Sequence, residues 1–86
     1  MAHYYYQIDY IDEEGVAHYI RTFKATQRRG AIKHVDAFNK MIRCINPDVY
    51  FVLDKYLYYN DDDIALIEEN ITNAESINMY LSKLTV

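Results

Sequence analysis

The sequence predicts a single small α+β domain, residues 1–86, in which an antiparallel sheet carries two helices on one face. A chain of 86 residues has room for one hydrophobic core. Its hydrophobic content of 51% beside a charged content of 26% is typical of a folded chain. The stretch "DEEGVAHY" precedes Thr26 and a helical pattern, and "NDDDIALI" precedes Thr72 and another. This weak repeat favours the order ββαββα, with ββαβα as the alternative.

The N-terminal part predicts a β-hairpin. Residues 4–11, "YYYQIDYI", and residues 16–23, "VAHYIRTF", are rich in aromatic and β-branched residues. The intervening "DEEG" ends at Gly15, which can take the left-handed conformation of a three- or four-residue loop. A four-residue loop would place one set of side chains on a common face: Tyr4, Tyr6, Ile8, Tyr10, Ala17, Tyr19 and Phe23. A shorter loop with a bulge would regroup them, so the register stays open.

Residues 27–45 predict an amphipathic helix. Apolar residues recur there at helical spacing: Ala31, Val35, Phe38, Ile42 and Ile45. Thr26 is placed to cap the first turn with its hydroxyl. The helix is expected to stop at Asn46-Pro47, because proline disfavours helical geometry in the residue before it.

The C-terminal half leaves two readings open. Residues 49–59, "VYFVLDKYLYY", predict a strand that ends at the "NDDD" turn of residues 60–63. Residues 64–71 are then either a returning strand or the start of one long C-terminal helix. With a returning strand, Thr72 and Glu75 form a capping box for a shorter helix over residues 73–84.

The charge of the chain is unevenly distributed. The net charge is −4, yet residues 21–43 hold seven basic residues and one acidic residue. The flanking segments 1–20 and 44–86 are strongly acidic. On the predicted helix the basic residues share a face offset from the apolar stripe, which is either a solvated surface or a docking surface for something negative. The candidate contacts are Arg28, Arg29, Lys33, Lys40 and Arg43.

We expect the partner to be a protein or a ribonucleoprotein, and a second copy of the chain, forming a homodimer, is also possible. Nucleic acid bound by the basic helix 27–45 is the second choice, because the rest of the molecule is acidic and would repel a long duplex. An alternative surface is acidic and aromatic: Tyr58, Tyr59, Asp61, Asp62 and Asp63. Such a surface would imitate nucleic acid. Phage-encoded inhibitors of bacterial defence systems, among them anti-CRISPR proteins, are similar in kind, although no motif identifies a family.

The sequence predicts no enzyme, cofactor or metal site. Cys44 adjoins the apolar stripe and is predicted to be a buried, inert thiol. The histidines lie on different elements without the spacing of zinc ligands: His3, His18 and His34. The "NDDD" turn lacks the alternating carboxylates and the glycine of a calcium loop, so it is predicted to be a solvated turn.

The sequence also predicts a cytoplasmic protein. No apolar run approaches the roughly 18 residues of a membrane span. The first residues, "MAHYYYQIDY", lack the basic start and apolar run of a signal peptide. A single cysteine, unable to form an internal disulfide, fits a reducing compartment.

Overall fold

The computed structural model describes residues 2–71, in which one helix packs on one face of a four-stranded antiparallel sheet. The elements follow in the order β1 (His3–Ile11), β2 (Ala17–Lys24), a 3-10 turn (Ala25–Gln27), α1 (Arg28–Arg43), β3 (Tyr50–Asn60) and β4 (Asp63–Glu68). The strands lie side by side as β2-β1-β3-β4. The prediction of a small α+β domain with an antiparallel sheet is confirmed. Within residues 2–71 the structure contains one of the two predicted helices. The other predicted helix, residues 73–84, and its cap Thr72 lie outside the described residues.

The open question about residues 64–71 is answered by β4, which pairs with β3 over Asp63–Glu68. The long helix starting at residue 64 is therefore wrong. The side chain of Asn60 closes the turn by accepting a hydrogen bond from the Asp62 N–H at 2.9 Å. Ile67 is an extra residue in this pairing, because Leu66 lies opposite Tyr56 and Glu68 lies opposite Lys55.

The first hairpin contains the predicted left-handed glycine. Gly15 has a φ of 83° and donates its N–H to the Asp12 carbonyl. The Asp12 carboxylate accepts hydrogen bonds from the backbone N–H groups of Glu14 and Val16, both at 2.9 Å. These bonds satisfy the loop backbone locally, as short polar residues do in turns.

The register of the hairpin is set by a three-residue loop, closed by the hydrogen bond from the Asp12 N–H to the Val16 carbonyl, and by a bulge in β2. Ile8 lies opposite Arg21 and Asp9 lies opposite Tyr19, so Ile20 is an extra residue. Tyr19 and Ala17 consequently move to the sheet face away from α1, and the grouping expected for a four-residue loop is wrong for both. The bulged alternative is the one observed.

The core lies between α1 and the two central strands. Its buried members are Tyr6, Ile8, Phe23, Ala31, Val35, Leu53 and Ile71. The apolar stripe of the helix therefore faces the sheet as predicted, through Ala31 and Val35, with Phe38 packed against the core. The backbone N–H of Ile71 donates to the Leu53 carbonyl at 2.7 Å, which holds the segment after β4 beside β3.

The helix begins differently from the prediction. Thr26 lies inside the 3-10 turn, and α1 follows Gln27 without any side-chain cap. The predicted capping role of Thr26 is therefore wrong. In its place the Gln27 side chain accepts the Lys24 N–H at 2.9 Å, which fixes the corner between β2 and the helix.

The end of the helix explains a second correction. The helix stops at Arg43, and the N–H groups of Ile45 and Asn46 both bond the Ile42 carbonyl. Ile45 is 72% exposed and Cys44 is exposed, and both follow the end of α1 at Arg43. The prediction of a buried Cys44 thiol is wrong. Its sulfur lies 3.7 Å from the Lys40 carbonyl.

Candidate docking surface

The outer face of α1 carries a row of basic side chains. Burial of Ala31 and Val35 against the sheet directs the opposite side of the helix outward. Four of the five predicted contact residues lie there, all exposed: Arg29, Lys33, Lys40 and Arg43. We call these four residues the basic row. Sixteen helical residues extend over about 24 Å, which is the length available to this row.

The basic row is not neutralised by carboxylates of the described residues. Within residues 2–71 none of its four members forms an ion pair. Asp36 lies on the same side of the helix and is half-buried, and it too lacks an ion-pair partner there. The positive charge of the helix therefore faces solvent.

The C-terminal half of the basic row borders a cavity of ≈510 Å³ between α1 and the start of β3. Lys40 and Arg43 line it together with Asp36 and Asn39. The Asn39 side chain is held by the Phe51 backbone, and Asp36 offsets part of the positive charge. Arg43 remains available to pair with a partner's carboxylate through two parallel hydrogen bonds.

Arg28 does not belong to the basic row. Its guanidinium donates two hydrogen bonds to the Glu68 carboxylate, at 3.2 and 3.1 Å, and a third to the Tyr6 hydroxyl at 3.1 Å. These contacts raise the pKa of Arg28 and lower the pKa of Glu68. Arg28 thus connects the start of α1 to β4, and its charge is already paired.

The Arg28–Glu68 pair predicts a pH-dependent contribution to stability. Because the folded-state pKa of Glu68 is lowered, the contribution is present above the ordinary pKa of glutamate and disappears as the pH falls through the lowered value. Glu68→Gln is expected to lower the free energy of unfolding at pH 7 by up to about 1 kcal/mol, a modest amount since the pair is partly exposed. Urea unfolding at pH 7 and pH 3 measures it.

Glu69→Gln is the matched control, because Glu69 has no ion pair within residues 2–71. It should cause no loss of stability at pH 7. A loss for Glu68→Gln that persists unchanged at pH 3 would contradict the ion-pair explanation.

The alternative acidic and aromatic surface lies at the β3–β4 turn. The Tyr58 hydroxyl donates to Asp61 Oδ1 at 2.7 Å, and this bond raises the pKa of Tyr58. Tyr59 is 47% exposed, and residues 61–63 are all exposed. These residues therefore form a solvated turn. Among residues 2–71 there is no group of three His, Cys, Asp or Glu side chains placed to share a metal ion.

Acidic segments occupy both ends of the sheet. Residues 61–63 lie at the end where α1 begins, since Tyr5 pairs with Lys24 there and His3 with Tyr58. Residues 12–14 lie at the other end, where Glu13 accepts a hydrogen bond from the Asn46 side chain after the end of α1. The outward basic row is therefore bounded by negative charge at both ends.

The structure also groups three carboxylates that the sequence did not indicate as a site. Asp9, Asp54 and Glu69 line one cavity on the sheet face away from α1. They come from three separate segments, so the signals in the sequence were single acidic positions, Asp9 and Asp54, within strands rich in apolar residues.

No helix in residues 2–71 is long and apolar enough to cross a membrane. Comparisons of the chain with protein-family models, with curated proteins and with solved structures give no match.

Proposed function

We propose that this chain is a non-catalytic binding protein that docks through the basic row onto an acidic surface of a protein or ribonucleoprotein. The observation that carries the proposal is the alignment of four exposed cations on one helix face, none of them ion-paired within residues 2–71. In a chain of net charge −4, this separation of charge orients the molecule toward a negative partner.

The expected consequence of docking is inhibition by covering the partner's surface. Phage-encoded proteins that block bacterial defence enzymes are of similar size. We propose that the chain belongs to that functional class. Action without catalysis is supported by Cys44, whose only hydrogen bond within the described residues is to a backbone carbonyl. A nucleophile needs a base held against it.

Partner capture with a single charge reversal tests the docking surface. Immobilised wild-type protein is expected to retain a stoichiometric partner from a bacterial lysate at moderate salt. Lys40→Glu should reduce retention at least about tenfold, because it places a like charge against the acidic surface. Lys24→Glu is the matched control, since it makes the same change of charge at an exposed position on β2, and it should retain the partner.

Two outcomes would contradict this surface. Equal losses for Lys40→Glu and Lys24→Glu would mean that only net charge matters. Loss of the partner by Asp61→Asn/Asp62→Asn, with Lys40→Glu still binding, would assign docking to the acidic and aromatic turn.

Nucleic acid is the alternative ligand for the basic row, which has the length and charge to follow a phosphate backbone. In that case a gel-shift with duplex DNA, single-stranded DNA and RNA shows binding at low salt. The slope of log affinity against log salt concentration then becomes shallower by about one for each phosphate-contacting basic residue removed. Absence of binding to all three at low salt removes this alternative.

A further inference from the structure

The sheet face away from α1 contains a cavity of ≈380 Å³ that lies apart from the basic row. Alternation along β3 places Asp54 and Tyr56 in positions i and i+2 on this face, and Asp9 of β1 lies on the same face. Glu69, which follows β4, supplies a third carboxylate. The cavity thus combines negative charge with an aromatic wall.

Two of these carboxylates are buried and have no ion-pair partner among residues 2–71. Asp9 and Asp54 are each only 8% exposed. Asp9 Oδ1 accepts a hydrogen bond from the Gln7 side chain at 2.9 Å, and Asp54 Oδ1 accepts one from the Asn70 N–H at 2.9 Å. The second oxygen of each carboxylate accepts no hydrogen bond from residues 2–71, and no Lys, Arg or His of that range pairs with either.

Within residues 2–71 this arrangement brings carboxylates of like charge together. Burial raises the pKa of Asp54, and repulsion from Asp9 and Glu69 raises it further, against the opposing effect of the Asn70 hydrogen bond. The pKa of the neighbouring Tyr56 is also raised, by burial first and by Asp54 second. A cation bound in this cavity would offset the repulsion between the carboxylates.

The aromatic wall selects the kind of cation. The ring of Tyr56 is held by stacking on Tyr5, with centroids 5.3 Å apart and planes 18° from parallel. The carboxylates are not grouped as metal ligands among the described residues. A planar guanidinium both stacks on aromatic rings and donates paired hydrogen bonds to carboxylates.

We infer that this cavity binds a guanidinium group, with Asp9 and Asp54 accepting its N–H groups and Tyr56 covering its face. The group is supplied either by an arginine side chain on a partner protein or by a small molecule such as free arginine. The cavity adjoins the one beside the basic row, because Tyr50 and Asn70 line both, but no member of the basic row lines it.

An NMR titration of the full chain with N-acetyl-arginine amide tests the inference. Saturable shifts are expected at the backbone amides of Asp9, Val52, Asp54 and Asn70. The neutral isostere N-acetyl-citrulline amide should bind at least about tenfold more weakly, because it lacks the charge that the carboxylates recognise.

Asp54→Asn is the informative variant, since asparagine keeps an oxygen to accept the Asn70 N–H and the fold should persist. It should weaken arginine binding at least about tenfold. Asp61→Asn removes the same charge from an exposed turn and should leave binding unchanged. Lys40→Glu should also leave it unchanged, which separates this site from the proposed docking surface.

The inference is overturned if the arginine probe gives no saturable shifts, if citrulline binds equally well, or if folded Asp54→Asn binds like wild type. Tighter binding of N-acetyl-lysine amide than of the arginine probe would also overturn the guanidinium assignment. Stronger binding of a capped Gly-Arg-Gly peptide than of free arginine assigns the group to a partner protein. The reverse order assigns it to a small molecule, and both orders support the site.

Discussion

Replacing Leu53 with alanine is expected to lower the free energy of unfolding by about 2–5 kcal/mol. Leu53 is 0% exposed and lies on central strand β3 opposite Ile8, which is also 0% exposed. The substitution removes apolar contacts and leaves a cavity that the sheet cannot close by moving. A domain of this size has a total stability on the order of 5–10 kcal/mol, so the loss is a large fraction of it. Urea unfolding followed by circular dichroism measures the change.

Leu66→Ala is the control for Leu53→Ala. The chemistry of the substitution is the same, but Leu66 is 51% exposed on β4. Its loss should stay below about 1 kcal/mol, because little apolar surface is removed from burial. Similar losses at the two positions would contradict the assignment of the core to the space between α1 and the sheet.

Asn39→Ala is expected to cost about 2–3 kcal/mol of unfolding free energy. The Asn39 side chain donates to the Phe51 carbonyl at 3.0 Å and accepts the Phe51 N–H at 2.8 Å. The paired residues of β4 extend no further along β3 than Lys55, so the side-chain amide takes the place of a strand neighbour at Phe51. Without it, two partly buried backbone groups lose their partners.

Asn39→Asp separates the two hydrogen bonds of this contact. Aspartate still accepts the Phe51 N–H but cannot donate to the Phe51 carbonyl when ionised, so its loss at pH 7 should be at least half that of alanine. Asn46→Ala offers a second comparison, because the Asn46 side chain bonds the exposed Glu13 and Asp48. If Asn46→Ala lowers the free energy of unfolding as much as Asn39→Ala, the argument that the Asn39 side chain replaces a strand neighbour for the Phe51 backbone is contradicted.

Local patterns in the sequence were sufficient to predict the helix and the loop of the first hairpin. The spacing of Ala31, Val35 and Phe38 determines which face of α1 is buried, and Gly15 is the one residue of its loop suited to a positive φ. The bulge at Ile20 was not predictable, because it depends on how β2 fits β1 and the helix together. The exposure of Cys44 was missed because α1 ends at Arg43, two residues before the predicted end of the helix at residue 45.

The candidate sites were predicted unequally. Helical spacing alone grouped Arg29, Lys33, Lys40 and Arg43. It also included Arg28, because the partner of Arg28 is Glu68, forty residues away in sequence. The cavity that we infer to bind a guanidinium group could not be predicted, because its carboxylates come from β1, β3 and the segment after β4. Their juxtaposition requires the strand order β2-β1-β3-β4, which no local pattern specifies.

The extra residues Ile20 and Ile67 have a consequence for self-association. They interrupt the hydrogen-bonding rows of β2 and β4, the outermost strands of the sheet in residues 2–71. A straight, uninterrupted edge invites a neighbouring molecule to add its own strand and begin a growing aggregate, and a kinked edge discourages this. The chain is therefore expected to resist fibril formation despite its many tyrosines, leaving its two broad faces as the places where other molecules can attach.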